Sequence, residues 1–305
     1  MNPESPFPPP DETEGLLPPP LLEAEELRID VAGVVALERT SFVVRGRSLA
    51  LAGDSTALMS ALAGVEKVRA GSLRLLGHDV AKREHLPFVG LAPLDPVLPP
   101  TWTALDYLTW SARLAGSPKS AATALAHDAL SLLDLPSLAK AKLGTLGLAE
   151  RRVVVLAQAI VARPEVLVAA MPLAGLSGPP AEYVFRALER ATRGRAFVVS
   201  VARTDAPSPE HALCERADEV LVFASGRLVR RGRVDSLPRA RLYLVAVRRN
   251  AEALRQRLSA RGLVLQGGPV RHFVELSREE DLDELFAASA EAEAPIVQLV
   301  PQERC

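Results

Sequence analysis

Short apolar runs alternate with helical patterns through most of this 305-residue chain, and this alternation limits the fold more than any other feature of the sequence. Buried parallel strands are short apolar runs, and each needs a crossover, usually a helix, to reach the next strand. The pattern therefore predicts an α/β domain with a parallel sheet that is covered on both faces. The predicted strands are Ser48–Ala52, Phe88–Leu91, Val166–Ala170, Ala196–Val201 and Glu219–Ala224.

One segment departs from that alternation, because residues 101–162 show helix after helix with little strand between them. Helices are predicted over Ala104–Leu114, Ser120–Leu133 and Ala149–Val161. We interpret the segment as a helical subdomain that is inserted into the α/β domain.

The two ends of the chain differ from this central domain, which we place at residues 25–238. The first 30 residues hold eight acidic side chains, one basic side chain and eight prolines. Such a stretch buries too little apolar surface to offset the entropy lost on ordering, so residues 1–24 are predicted to be a disordered tail. Residues 240–305 follow the order β-α-β-β-α-β, which predicts a small α+β domain of the ferredoxin-like kind.

Charge and composition exclude several classes of function. The formal net charge is −1 and only 4% of the residues are aromatic, which argues against a nucleic-acid partner. The two cysteines, Cys214 and Cys305, show no disulfide or metal-binding pattern. The uncharged run Val166–Ala181 is interrupted by prolines and is too short to cross a bilayer, and the first residues lack the order of a secretory signal. We therefore expect a soluble, cytoplasmic protein.

Six segments of the central domain resemble, in order and spacing, the ATP-binding subunit of an ABC transporter. Residues 37–53 are similar to the strands before the phosphate loop, and residues 57–77 to the first helix and its hairpin. Residues 91–100 are similar to the Q-loop, and residues 143–164 to the signature helix. Residues 166–176 are similar to the Walker B strand with the D-loop, and residues 217–235 to the closing strands. The resemblance covers residues 25–238 and implies a P-loop-NTPase-like nucleotide-binding domain. Residues 240–305 are similar to the small domain that follows the ATP-binding subunits of ABC-2 exporters, including those linked to gliding motility.

The positions that this resemblance assigns to chemistry carry other residue types. At the phosphate loop, Gly53, Asp54, Ser55 and Thr56 run directly into a helix and no lysine precedes Lys67, although a phosphate loop needs glycines and a lysine around the phosphates. The other matching positions are Leu94 for the Q-loop glutamine, Gly147, Leu148, Ala149 and Glu150 for the signature, Ala170 and Met171 for the Walker B carboxylates, Ser177 for the D-loop aspartate and Ala202 for the switch histidine. Alanine and methionine cannot coordinate a hard cation or accept a proton. We expect Asp54 to act as a helix N-cap, and we expect no catalytic residue, no metal site and no binding of ATP or Mg²⁺.

The sequence therefore predicts a catalytically inactive, pseudo-ATPase subunit of an ABC transporter, not an enzyme. It would act as a scaffold for ABC-2-type membrane subunits at the inner face of the cytoplasmic membrane, paired with an active ATP-binding paralogue or with a second copy of itself. Two alternatives stay open: a soluble protein-interaction module with a degenerate ABC fold, and a protein that binds nucleotide or another ligand without hydrolysis.

Three aromatic residues are the candidates for docking a membrane subunit: Trp102, Tyr107 and Trp110. Tryptophan and tyrosine are favoured anchors in protein interfaces. The alternative is that they belong to the core of the helical subdomain, since Tyr107 and Trp110 are three residues apart on one predicted helix.

Overall fold

The computed structural model describes residues 18–202, 204, 208–236, 241–268, 271–276 and 280–301. The predicted tail residues 1–17 and the terminal Cys305 lie outside these ranges. The strands are β1 (Leu22–Val31), β2 (Val34–Val44), β3 (Ser48–Gly53), β4 (Val68–Leu75), β5 (His78–Asp79), β6 (Val89–Ala92), β7 (Val166–Ala169), β8 (Ala196–Val201), β9 (Glu219–Ala224), β10 (Arg227–Gly232), β11 (Arg241–Val247), β12 (Leu265–Gly267), β13 (Arg271–Leu276) and β14 (Ile296–Pro301). The helices are α1 (Thr56–Leu62), α2 (Ala104–Leu114), α3 (Lys119–Leu132), α4 (Leu148–Ile160), α5 (Gly178–Thr192), α6 (Pro209–Arg216), α7 (Ala251–Ala260) and α8 (Glu280–Glu291).

The central sheet has six strands in the order β10-β9-β3-β8-β7-β6. The five strands from β9 to β6 run parallel, and β10 pairs with β9 antiparallel. All six residues of β8 and the first five of β3 are buried, as apolar runs covered on both faces should be. The predicted α/β class is confirmed.

A second, antiparallel sheet has the order β2-β1-β4-β5 and shares an apolar core with α1 and one face of the central sheet. Leu22 and Ala24 lie in β1 and are buried in this core. The predicted tail therefore ends before Leu22 and not at residue 24, because the apolar residues at this end gain more from burial than the ordering of the chain costs.

The inserted helices α2, α3 and α4 pack against one another and, with α5, against the other face of the central sheet. Small side chains lie where helices meet, since Ala104, Ala112, Ala122 and Ala126 are fully buried. The helical segment that the sequence predicts at 101–162 is therefore a bundle that covers the sheet.

The C-terminal strands form a separate antiparallel sheet in the order β12-β13-β11-β14, with a core that α7 and α8 share. The element order is the predicted β-α-β-β-α-β. The other side of this sheet contacts the central domain: Phe273 and Leu244 pack with Ala224 of β9, and Arg230 Nε donates to Glu275 Oε1 at 2.9 Å. The division at residues 238–240 stays a prediction.

Candidate functional site

The carboxyl ends of β3, β6, β7 and β8 meet at one edge of the central sheet, which we call the carboxyl-end edge. In open α/β sheets, ligands bind at this edge. A cavity of about 360 Å³ lies there. It brings together positions that the sequence assigned to three different motifs, Thr56, Leu94, Ala170 and Met171.

The turn that precedes α1 is hydrogen-bonded to the neighbouring strand β9. Gly53 has φ +69°, and a Cβ at this position would lie 2.0 Å from the Phe223 carbonyl oxygen. The Asp54 amide donates to that same oxygen at 2.9 Å, and the Ser55 amide donates to Gly53 O at 2.7 Å. The turn is therefore short, and strand β9 occupies the space beside it.

The predicted N-cap role of Asp54 is wrong. The N-cap of α1 is Ser55, whose side chain makes no capping hydrogen bond. Asp54 Oδ2 accepts a hydrogen bond at 3.0 Å from the amide of Ser225, in the turn between β9 and β10. The geometry of β9, which a local sequence pattern does not contain, decides this pairing.

The residues after β7 are held by backbone hydrogen bonds. The Ala170 amide donates to Ala92 O at 2.8 Å, and the Met171 amide donates to Ser200 Oγ at 2.9 Å. Met171 has φ +43°, a left-handed conformation that is uncommon for a residue with a side chain. Its side chain and that of Ala170 line the cavity in place of carboxylates.

The cavity lining decides whether a magnesium–triphosphate group fits these residues. Among the described residues that line it, none is a lysine, arginine, aspartate or glutamate, and the polar side chains are the hydroxyls of Thr56, Ser60 and Ser200. A triphosphate needs cationic donors, and Mg²⁺ prefers carboxylate ligands. The residues do not fit that group, so no hydrolytic step is derived from them.

The signature positions lie at the start of α4 and do not line this cavity. Gly147 is the N-cap of α4, and its amide donates to Glu150 Oε2 at 2.9 Å. The Glu150 carboxylate therefore stabilises its own helix. Leu148 is 39% exposed, and Ala149 packs against the core of the helical side.

The last two motif positions also lie outside the cavity lining. Ser177 is the N-cap of α5 without a side-chain capping bond, and the Ala202 amide donates to Glu210 Oε1 at 3.2 Å. Sequence reasoning missed Met59 and Ser200, which do line the cavity. Ser200 lies inside a fully buried strand, and only the pairing of β8 with β7 brings its hydroxyl to Met171.

The three candidate docking residues differ in exposure. Trp102 is 37% and Trp110 44% exposed, and their rings meet edge to face with centroids 6.2 Å apart. The Arg113 guanidinium lies 5.3 Å from the centroid of the Trp110 ring. Tyr107 packs against the core, and burial raises the pKa of its hydroxyl.

A capping box next to Trp102 fixes the start of α2. The Asp106 amide donates to Thr103 Oγ1 at 3.1 Å, and the Thr103 amide donates to Asp106 Oδ2 at 3.2 Å. Trp102 precedes this cap, and its amide donates to Pro99 O. Trp102 therefore lies next to a capped helix end, and Trp110 lies further along the same helix.

The fold is that of an ATP-binding cassette, as comparison with solved structures shows. The ADP conformation of MJ1267, an ATP-binding cassette of an ABC transporter, matches with a TM-score of 0.59 at 20% identity, over 70% of this chain and 91% of that one. The dimeric structure of MJ0796, a bacterial ABC transporter cassette, matches with a TM-score of 0.60 at 14% identity, over 71% and 100%.

Sequence comparisons agree with the fold. Residues 40–173 match the family model described as ABC transporter. The Fe(3+) ions import ATP-binding protein FbpC of Streptomyces coelicolor is 29% identical over 71% of this chain and 63% of its own length. The Nod factor export ATP-binding protein I of Burkholderia pseudomallei is 32% identical over 59% and 58%. This chain thus spans about three-fifths of the length of these two relatives. The family model, the relatives and the solved structures thus all show similarity to the ATP-binding domains of ABC transporters.

Two predictions from the sequence are contradicted by these comparisons. The predicted function as a catalytically inactive scaffold is wrong, because the relatives are named as ATP-binding proteins of iron import, Nod factor export and lipoprotein release. The prediction that no ATP or Mg²⁺ binds is contradicted by the similarity to ABC ATP-binding proteins, among them MJ0796 bound to ADP and Pi. The prediction that this chain is not an enzyme stays a prediction, and a hydrolysis assay tests it.

Proposed function

We propose that this chain is the ATP-binding-cassette subunit of an ABC transporter of the ABC-2 exporter type. It would bind membrane subunits at the inner face of the cytoplasmic membrane. The cassette fold, the helical subdomain and the relatives named for Nod factor export support this proposal. Among the described residues, no helix is both long and apolar enough to span a bilayer.

The exposed tryptophan pair carries the proposal. We call Trp102, Trp110, Arg113 and Leu114 the aromatic surface. Leu114 is 72% exposed and follows Trp110 by four residues, so both lie on one face of α2. Large apolar side chains that remain in water cost free energy unless a partner covers them, and tryptophan and arginine are enriched at interface centres. The aromatic surface therefore suits a helix from a membrane subunit.

Pairing with a second cassette is the other part of the proposal. MJ0796 is described as a dimeric cassette, and all of its length matches this chain. In this chain Leu148 is exposed at the start of α4, where an apolar side chain gains from a partner. The partner would be a second copy or a related cassette.

Sedimentation with membranes from the native cells tests the proposal, and it compares the full chain with its Trp102→Ala variant. Removing an interface tryptophan costs about 2–4 kcal/mol of binding, so the variant should leave the membrane fraction. Phe286→Ala is the matched control, because Phe286 is 51% exposed and lies on α8, far along the chain from α2. The thermal midpoint of both variants should stay within a few degrees of the original protein.

Two outcomes would contradict this assignment. One is that the unsubstituted protein neither sediments with membranes nor co-purifies with a membrane subunit. The other is an equal loss of membrane binding in Phe286→Ala, which would show that the aromatic surface has no special role.

A further inference from the structure

At the opposite edge of the central sheet, where the parallel strands begin, a cleft of about 820 Å³ is lined by four arginines. They are Arg45, Arg47, Arg193 and Arg195, and we call this site the arginine cleft. We propose that the arginine cleft binds a phosphate-bearing anion. This site is separate from the cavity at the carboxyl-end edge, and the inference does not depend on the proposed transporter function.

Strand pairing brings the four arginines together. Arg45 and Arg47 lie in the turn before β3, and Arg193 and Arg195 lie in the turn before β8. Because β3 and β8 are adjacent and parallel, with Ser48 opposite Phe197, the two turns meet at the same edge. Two arginine pairs that are about 150 positions apart in sequence therefore line one cleft.

Carbonyl oxygens orient two of the guanidinium groups. Arg195 Nε donates to Pro164 O at 2.9 Å, and its Nη1 donates to Ala191 O at 2.8 Å. Arg47 Nη2 donates to Gly194 O at 3.2 Å. These neutral acceptors fix the groups without cancelling their charge, and burial lowers the pKa of Arg195, as expected for a desolvated cation that lacks a counter-ion.

Few carboxylates balance these charges. In the part of the chain that the structure describes, none of the four arginines forms an ion pair with a carboxylate, and Glu165 is the acidic residue in the cleft lining. Asp218 lies behind the turn, where its Oδ2 accepts hydrogen bonds from the amides of Arg47 and Ser48. Burial alone would raise the pKa of Asp218, but the hydrogen bonds from Ser48 and Arg47 outweigh it and hold the pKa below its usual range.

The chemistry of the lining selects phosphate. A guanidinium presents paired donors that match two oxygens of a phosphate group, and such charge-assisted bonds are stronger than neutral ones. Arg195 also caps the end of α5 through Ala191 O, which is a stabilising role of its own. Within the described ranges, no hydrogen bond involves the side chains of Arg45 and Arg193, and both residues are exposed, so they can contact a ligand.

Calorimetric titration of the full chain with inorganic pyrophosphate tests the site. Arg45→Gln/Arg193→Gln should weaken binding by roughly tenfold or more, because each charge-assisted hydrogen bond contributes on this scale. The control is Arg69→Gln/Arg74→Gln, which removes the same charge from exposed arginines on β4. It should change the affinity by less than about twofold, since these residues are outside the cleft lining.

Vesicles distinguish the two sources of the phosphate group. Flotation with phosphatidylglycerol vesicles but not with phosphatidylcholine vesicles, abolished by Arg45→Gln/Arg193→Gln, would assign the cleft to an anionic lipid headgroup. Pyrophosphate binding that depends on the same arginines, without flotation, would assign it to a free phosphate compound. Both results support the proposal.

Three results would overturn it. The first is no pyrophosphate binding, and the second is an equal loss of affinity in the two double variants, which would indicate a general charge effect. The third concerns the acidic residues that precede Pro18, a residue of the cleft lining. If the triple variant Asp11→Asn/Glu12→Gln/Glu14→Gln raises pyrophosphate affinity by roughly tenfold or more, the chain's own acidic segment occupies the cleft and the free-anion site is refuted.

Discussion

The two edges of the central sheet have opposite chemistry. At the carboxyl-end edge, a cavity of about 360 Å³ is lined by apolar side chains and a few hydroxyls. At the other edge, a larger cleft of about 820 Å³ is lined by four arginines. The order of parallel strands determines where these concavities form, whereas the side chains decide which ligand each one suits. In this chain the cavity at the carboxyl-end edge has an apolar lining, and the cleft at the other edge carries positive charge.

The largest expected effect concerns the backbone at the carboxyl-end edge. Gly53→Ala should lower the free energy of unfolding by about 3 kcal/mol, because its Cβ would lie 2.0 Å from Phe223 O at a positive φ. Gly33→Ala is the control: φ is +81° there, but no atom lies within 4 Å of the added Cβ, so the cost should be only about 1 kcal/mol. Urea denaturation measures both, and equal costs would mean that β9 does not confine the turn.

The second expected effect is a pH dependence of the free energy of unfolding that arises near the arginine cleft and not at the carboxyl-end edge. His85 is fully buried, close enough to His78 of the arginine cleft to feel its charge; its Nε2 lies 2.8 Å from Leu62 O, and its Nδ1 has no partner among the described residues. Burial lowers the pKa of His85, and His78 lowers it further, while Leu62 O and Asp79 oppose the shift. The unfolded chain therefore binds the proton more readily, so stability should fall as the pH decreases below about 6.5, by up to about 1.4 kcal/mol per pH unit.

A matched pair of variants assigns that acid sensitivity. Glutamine at position 85 can still donate to Leu62 O but does not titrate, so His85→Gln should flatten the dependence of unfolding free energy on pH between about 6.5 and 5. His127→Gln, at an exposed position on α3, should leave it unchanged. Among the described residues, no titratable side chain lines the cavity at the carboxyl-end edge. If the unfolding free energy of the unmodified protein does not change between about pH 6.5 and about pH 5, the expected difference between the two edges is contradicted.

The smallest expected effect concerns the hydroxyl that positions Met171. Ser200→Ala removes the acceptor of the Met171 amide and should cost about 1 kcal/mol of unfolding free energy. Ser60→Ala is the control, since Ser60 lines the same cavity and its hydroxyl makes no hydrogen bond in the described structure. If both variants unfold at the same urea concentration, the bond between Met171 and Ser200 does not stabilise this edge.

Local sequence patterns predicted several elements of the central domain but not all of them, since no helix was predicted at α6 (Pro209–Arg216). The apolar run 196–201 is strand β8 and the helical pattern at Ala104–Leu114 is α2, because buried strands and helices follow from the spacing of apolar residues. The start of β1 at Leu22 was missed, because the acidic and proline-rich residues around it masked a short apolar pair.

Local patterns could not predict contacts between segments that are distant in the sequence. The pairing of Asp54 with Ser225 joins residues 171 positions apart, and the arginine cleft depends on β3 lying beside β8. A lone arginine in a turn resembles any solvated charge, and its role becomes visible only when the sheet places a second pair beside it. Long-range strand pairing therefore accounts for most of what the sequence could not predict about the two edges.

Strand β9 gives the molecule a mechanical connection. Its Phe223 carbonyl holds the turn before α1 through the Asp54 amide, and the next residue, Ala224, packs against Phe273 and Leu244 of the C-terminal sheet. The turn before α1 and the C-terminal sheet therefore contact adjacent residues of the same strand. On the neighbouring strand β10, the ion pair between Arg230 and Glu275 adds a second contact with the C-terminal sheet. Strands β9 and β10 thus join the turn before α1 to the C-terminal sheet.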